Sequence, residues 1–126
     1  MATTKRELPA APEFRRGDIL WINCDPSIGV EPKKRRTCVV ISNDAANRFW
    51  RAVTVIITVG WTGPRSERAF VVDLGGGRST LSERRLANAS MIMTYDRTRI
   101  FARAGRVSRE GMAAIDAALR LHLALD

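Results

Sequence analysis

Hydrophobic residues in this chain fall into short runs separated by turn-forming and charged residues, and only the last stretch changes period. Ile19-Leu20-Trp21-Ile22-Asn23 is apolar and bounded by turn residues, which predicts a buried strand with Trp21 in the core. Asp25-Pro26-Ser27-Ile28-Gly29 breaks it. Thr37-Cys38-Val39-Val40-Ile41-Ser42 and Val53-Thr54-Val55-Ile56-Ile57-Thr58 are rich in β-branched residues and predict two further strands. Ala69 to Leu74 predicts another, stopped by Gly75-Gly76-Gly77, followed by Met91 to Tyr95 and a shorter one from Arg99 to Arg103. Asn43-Asp44 caps one or two helical turns through Arg48. Gly60 to Arg65 is a loop by its Gly and Pro content. Arg78 to Asn88 has no clear period, and Ser82 to Leu86 fits a helical turn or a loop. In the tail, Met112, Ile115, Leu119 and Leu123 recur at helical spacing behind Ser108, a good N-cap.

Five or six short strands and one terminal helix predict a mainly β, α+β fold. Its form is a small, strongly curved antiparallel sheet or barrel, with the helix over one open side. Order is expected to begin near Arg16-Gly17-Asp18. Residues 1–13, with Pro9-Ala10-Ala11-Pro12, read as a disordered lead-in to one domain over 14–126. A chain of 126 residues suits one domain with one core.

Charge changes the picture. Lys+Arg number 21 against 13 Asp+Glu, a formal net charge of +8, which favours a polyanionic partner. A membrane is the weaker choice of partner, because no apolar run approaches the roughly 20 residues a spanning helix needs. Residues 1–13 have no signal-peptide core, so a cytoplasmic protein is expected, with Cys24 and Cys38 reduced and apolar in character. His122 is the single histidine, and neither cysteine lies at ligand spacing from it. No metal site and no cofactor are expected. Gly75-Gly76-Gly77 lacks a following Lys-Ser/Thr and helix signal, so it reads as a turn rather than a nucleotide loop.

The charge concentrates where it can be used. Glu31, Lys33, Lys34, Arg35 and Arg36 precede the strand at Thr37. A rigid strand can hold a guanidinium where a phosphate will sit, which a free basic tail cannot do. Lys33 and Lys34 suit phosphate steering. Arg35 and Arg36 are rivals for the phosphate, turned apart by strand alternation. Trp61, in its Gly/Pro loop, suits stacking on an unpaired base or packing over the barrel mouth.

These residues resemble a known family. Arg16-Gly17-Asp18-Ile19, Asp25-Pro26, Gly29-x-Glu31, and Arg36 leading into Val39-Val40-Ile41-Ser42-Asn43-Asp44 are similar to the MazF/PemK toxin endoribonucleases. Asn47-Arg48-Phe49, Ile57-Thr58 and Gly105-Arg106-Val107-Ser108 agree with the pattern, and the similarity runs from about Arg15 to Leu125. The resemblance implies an SH3-like barrel with a C-terminal helix and a homodimer. It also implies metal-independent, sequence-selective cleavage of single-stranded RNA and a cognate antitoxin that covers the RNA groove. It assigns the chemistry to Arg36 and Thr58. Glu31 is the nearby carboxylate that could orient Arg36 or accept a proton, and Lys33, Lys34, Arg35 and Trp61 would bind RNA. Several positions depart from the family pattern. Thr37 replaces a usual Pro, Pro32 and Lys33 stand where Gln and Gly are common, and Met91 and Met93 replace a Gln and an Arg. One branch of the family carries an acid–base Arg and Asp where this chain has Asn88 and Ser90. The competing reading is a non-catalytic member of the fold that binds RNA or a protein target such as DNA gyrase.

Overall fold

The computed structural model describes residues 13–63 and 68–126. Most of the expected lead-in, and part of the expected 60–65 loop, lie outside the described residues. Six strands form one antiparallel sheet: β1 (Asp18–Asn23), β2 (Arg35–Val40), β3 (Ala52–Gly60), β4 (Val71–Asp73), β5 (Arg85–Asp96) and β6 (Ile100–Arg106). Their order is β4-β5-β3-β2-β1-β6. A short helix α1 (Asp44–Phe49) links β2 to β3, and α2 (Arg109–Leu123) ends the chain.

This is the expected small antiparallel, barrel-like sheet with a C-terminal helix, and its strand pairing is not closed. β4 and β6 are its edges. β4 is only three residues long, because the Asp73 carboxylate accepts the Gly75 N–H and turns the chain away. The loop after β4 spans the gap instead. Ser79 bridges to Val107, and the Thr80 N–H donates to the Arg106 carbonyl. β5 supplies the bend. Its register against β3 jumps between Ile56–Ile92 and Ile57–Asn88, so Ala89 to Met91 form a bulge where the sheet folds over.

Both faces of the sheet are covered. Leu20, Ile22, Cys38, Val40, Val53, Val55 and Ile57 point to one side and pack with Phe14, Tyr95 and Ile100. Ile19, Val39, Ile56, Ala87 and Ala89 point to the other and meet Ile115 and Ala118 of α2. Two-sided burial explains why β2 and β3 read as continuous apolar runs rather than alternating ones. Ser108 caps α2 as expected, its Oγ accepting the Gly111 N–H at 3.0 Å. Of the four residues spaced along that helix, Ile115 is buried, Met112 and Leu119 are half-buried and Leu123 is exposed.

The Arg16-Gly17-Asp18 motif is structural. Arg16 donates to the Ile41 carbonyl and to Asp116 on α2, and its own N–H reaches Asp44. That amide holds the Asp44 carboxyl below its ordinary value. Gly17 sits at φ 95° against Met112. The buried Asp18 carboxylate accepts the Arg15 N–H at 2.9 Å and Arg106 Nη1 at 2.6 Å.

Gly111 gives a stability test. A Cβ built there would lie 2.5 Å from Val107 Cγ1 and 2.6 Å from the Arg78 carbonyl oxygen. Gly to Ala normally favours a helix by about 1 kcal/mol, but overpacking against backbone costs about 1–3 kcal/mol. Gly111→Ala is expected to lower stability in urea unfolding. A stabilised variant would show that α2 can move off the loop at Arg78 without cost.

Candidate active site

The α2-covered face of the sheet continues past the helix, and there it opens. Odd-numbered residues of β1 and β2 share this face: Ile19 pairs with Val39 beneath α2, and Trp21 pairs with Thr37 beyond it. Trp21 is therefore 39% exposed rather than core, a correction to the sequence reading. Trp21, Thr37, Arg35 and Arg36 line a cleft of about 320 Å³ together with Leu81, Ser82, Glu83, Arg85 and Ala104.

β2 begins at Arg35, two residues before the expected Thr37, so both arginines belong to the strand rather than the loop. The loop before it is shaped by backbone. Lys34 lies at φ 64°, and its carbonyl accepts the Cys24 N–H at 2.7 Å. The Lys33 carbonyl accepts Arg36 Nε at 3.1 Å, which fixes the base of that guanidinium. Arg35 lies over the Phe101 ring at 4.4 Å, and Phe101 leans on Trp21 with ring centroids 6.3 Å apart. The lysine side chains are exposed on the loop. Glu31 uses its carboxylate on the Ile28 N–H at 2.8 Å, and it is not among the cleft-lining residues. Trp61 is also outside the lining, with the Arg84 guanidinium 4.4 Å above its ring.

Thr58 lies behind the cleft wall with no exposed surface. Its Oγ1 is 2.5 Å from the Thr37 Oγ1 and accepts Arg85 Nε at 3.1 Å, while its carbonyl accepts Arg85 Nη2 at 3.0 Å. Thr58 thus reaches the cleft through two residues that do line it. One is Thr37, where the sequence pattern departs from the family. The other is Arg85, which the sequence reading missed. Arg85 opens β5 after a stretch with no readable period, and a charged first residue carries no strand signal.

Electrostatics in the cleft are those of an excess of cations, Arg35, Arg36 and Arg85 against Glu83. Burial lowers the Arg85 pKa, the nearby Glu83 carboxylate raises it, and the Arg36 charge lowers it again. The two cysteines behind Arg36 are reduced and buried, as the sequence reading expected. The Cys24 and Cys38 thiols donate to the Ile22 and Arg36 carbonyls. The nearness of the two thiols lowers the Cys24 pKa against the effect of burial and raises that of Cys38.

Comparison with known proteins agrees with this architecture. Residues 15–123 match the family described as PemK-like, MazF-like toxin of type II toxin-antitoxin system. Endoribonuclease MazF9 of Mycobacterium tuberculosis is 35% identical over 116 residues, covering 89% of this chain and 98% of that protein. Endoribonuclease EndoA of Bacillus subtilis is 25% identical over 111 residues, covering 88% and 95%. Among solved structures, MazF from Deinococcus radiodurans superposes with a TM-score of 0.76 at 20% identity, covering 92% of this chain and 99% of that one. An endoribonuclease in complex with its cognate antitoxin from a mycobacterial species gives 0.72 at 20% identity, covering 89% and 96%.

Proposed function

The chain belongs to the PemK-like, MazF-like toxins of type II toxin–antitoxin systems, and from that premise we propose how this endoribonuclease toxin cuts its substrate. The substrate is single-stranded RNA, cut at selected sequences without a metal ion. The RNA's own 2′-hydroxyl attacks the adjacent phosphorus, leaving 2′,3′-cyclic phosphate and 5′-hydroxyl ends. An intramolecular attack needs no activated water and gains from its fixed geometry.

The cleft carries this reading. Its lining offers the guanidiniums of Arg35, Arg36 and Arg85 against the single carboxylate of Glu83. That donor set suits an anion and repels a divalent cation, which wants carboxylate and carbonyl oxygens. Arg36 stabilises the charge that grows on the phosphoryl oxygens, through a planar fork that pairs bidentately with phosphate. Thr58 acts from behind the wall, holding Thr37 and Arg85 in place. Glu31 fixes the loop whose end presents Arg36. Lys33, Lys34 and Arg35 draw in the RNA backbone, and Trp61 offers a ring to an unpaired base. In the manner of the mycobacterial endoribonuclease solved with its cognate antitoxin, this toxin is held inactive by an antitoxin of its own. It acts as a homodimer in the cytoplasm, where its substrate is. Among the described residues no helix is long and apolar enough to cross a membrane.

Incubating the purified protein with a mixed RNA in EDTA tests the reading. Discrete fragments with 2′,3′-cyclic phosphate and 5′-hydroxyl ends are expected. RNA left intact in EDTA but cut when magnesium is restored would overturn the metal-free mechanism. RNA bound but never cut would favour a non-catalytic member of the fold.

A further inference from the structure

We propose that Arg85 is a second phosphate-binding catalytic residue of the cleft, gripping the RNA backbone together with Arg36 while Thr58 holds its inner edge. The inference rests on the ribonuclease reading for the identity of the anion, but the geometry is independent of it.

Arg85 is half-buried at the start of β5, opposite Gly60 at the end of β3. Its Nε and Nη2 donate to the two oxygens of Thr58. Those acceptors are neutral, so they fix the plane of the guanidinium without cancelling its charge. The remaining N–H donors are left for a ligand. Gly60 leaves that side of Nη1 uncovered, since a Cβ there would stand 3.6 Å from the nitrogen, in van der Waals contact with it.

The contrast with other arginines is informative. Arg16, Arg78, Arg84, Arg103 and Arg106 each lie within ion-pair distance of a carboxylate. Among the described residues, Arg35, Arg36 and Arg85 form no such ion pair, as is true of several arginines elsewhere, but these three line one cleft, and of them Arg85 is the one fixed by two neutral oxygens. Burial lowers the Arg85 pKa, with the Arg36 charge adding to it and the Glu83 carboxylate opposing it. Keeping the half-buried Arg85 charge beside the exposed Arg36 is less favourable than either alone until an anion joins them, and a phosphodiester satisfies both forks. Donors fixed in advance also need no reorganisation as charge develops on phosphorus. A structural pin between β3 and β5 would need only the contacts to Thr58. It would not need an unpaired, cleft-facing charge beside Arg36.

The test uses the full chain and its Arg85→Ala, Arg85→Gln and Arg85→Lys variants. Binding of a non-cleavable, 2′-O-methyl single-stranded RNA is followed across a salt series, cleavage of the matching RNA in single turnover, and folding by thermal melting. Arg85→Ala and Arg85→Gln should lower the slope of log affinity against log salt by about 0.7. They should also slow cleavage roughly 10- to 100-fold, the loss of one charged hydrogen-bonding group. Arg85→Lys should restore most of the slope but little of the rate, because an ammonium lacks the fork. A lowered melting temperature with slope and rate unchanged would overturn the proposal and leave Arg85 a structural pin. If Arg85→Ala does not fold, Arg85→Gln and Arg85→Lys decide the matter by the same slopes. Should the wild type bind RNA but never cut it, the ribonuclease reading falls, and the slope still judges Arg85.

Discussion

Arg36→Ala is expected to slow cleavage of single-stranded RNA by about 10²–10³-fold or more, the usual cost of removing one preorganised donor from a charge-developing site. The loss should appear in single-turnover rates at saturating RNA, because Arg36 is assigned to the transition state rather than to general attraction. Stability should hardly change. The side chain is exposed and donates through Nε to the Lys33 carbonyl, so a shift within about 0.5 kcal/mol is expected. Arg36→Lys should recover affinity better than rate, since a point charge cannot replace bidentate pairing. Arg35 is the control. Its guanidinium is stacked on Phe101, so Arg35→Ala should weaken RNA binding and leave the saturated rate within a few-fold. An Arg36→Ala variant that cuts at the wild-type rate would remove Arg36 from the mechanism, and a slow Arg35→Ala would exchange the two.

Much of this was legible in the sequence, for physical reasons that particular residues show. Two-sided burial makes Val39-Val40 and Val55-Ile56-Ile57 unmistakable as central strands, and Ser108 announces α2 because a capping hydroxyl is a local device. What was not legible depends on where α2 stops. Ile19 and Trp21 belong to one face of β1, yet one lies fully buried and the other 39% exposed. Periodicity gives the face and not the extent of its cover. Arg85 was missed for a related reason. Its partners on Thr58 lie 27 residues away in sequence, across a strand pairing that no local pattern encodes. Arg36 was findable because its loop and strand are contiguous. Thr58 was findable only through resemblance, and the resemblance named the residue without showing that it stands behind the wall.

That placement makes Thr58→Val the variant with the widest expected consequences. The side chains have nearly the same shape, so the core around Ile56 and Ile57 should repack little. The hydroxyl is what disappears, and with it the acceptor for Arg85 Nε and the partner of the Thr37 Oγ1. Leaving these groups unsatisfied near a fully buried position should cost about 1–3 kcal/mol of stability, read as a lower urea midpoint at unchanged slope. Cleavage should fall at least tenfold, because the Arg85 fork loses one of its two anchors and Thr37 is free to rotate out of the cleft. Thr58→Ser keeps the hydroxyl and should retain most of the activity. The decisive measurement is a double-mutant cycle. If Thr58 works through Arg85, then Thr58→Val should slow an Arg85→Ala enzyme far less than it slows the wild type, since interacting sites are not additive. Full additivity of the two losses would mean that Thr58 touches the RNA directly, which would require the wall of the cleft to open when substrate binds.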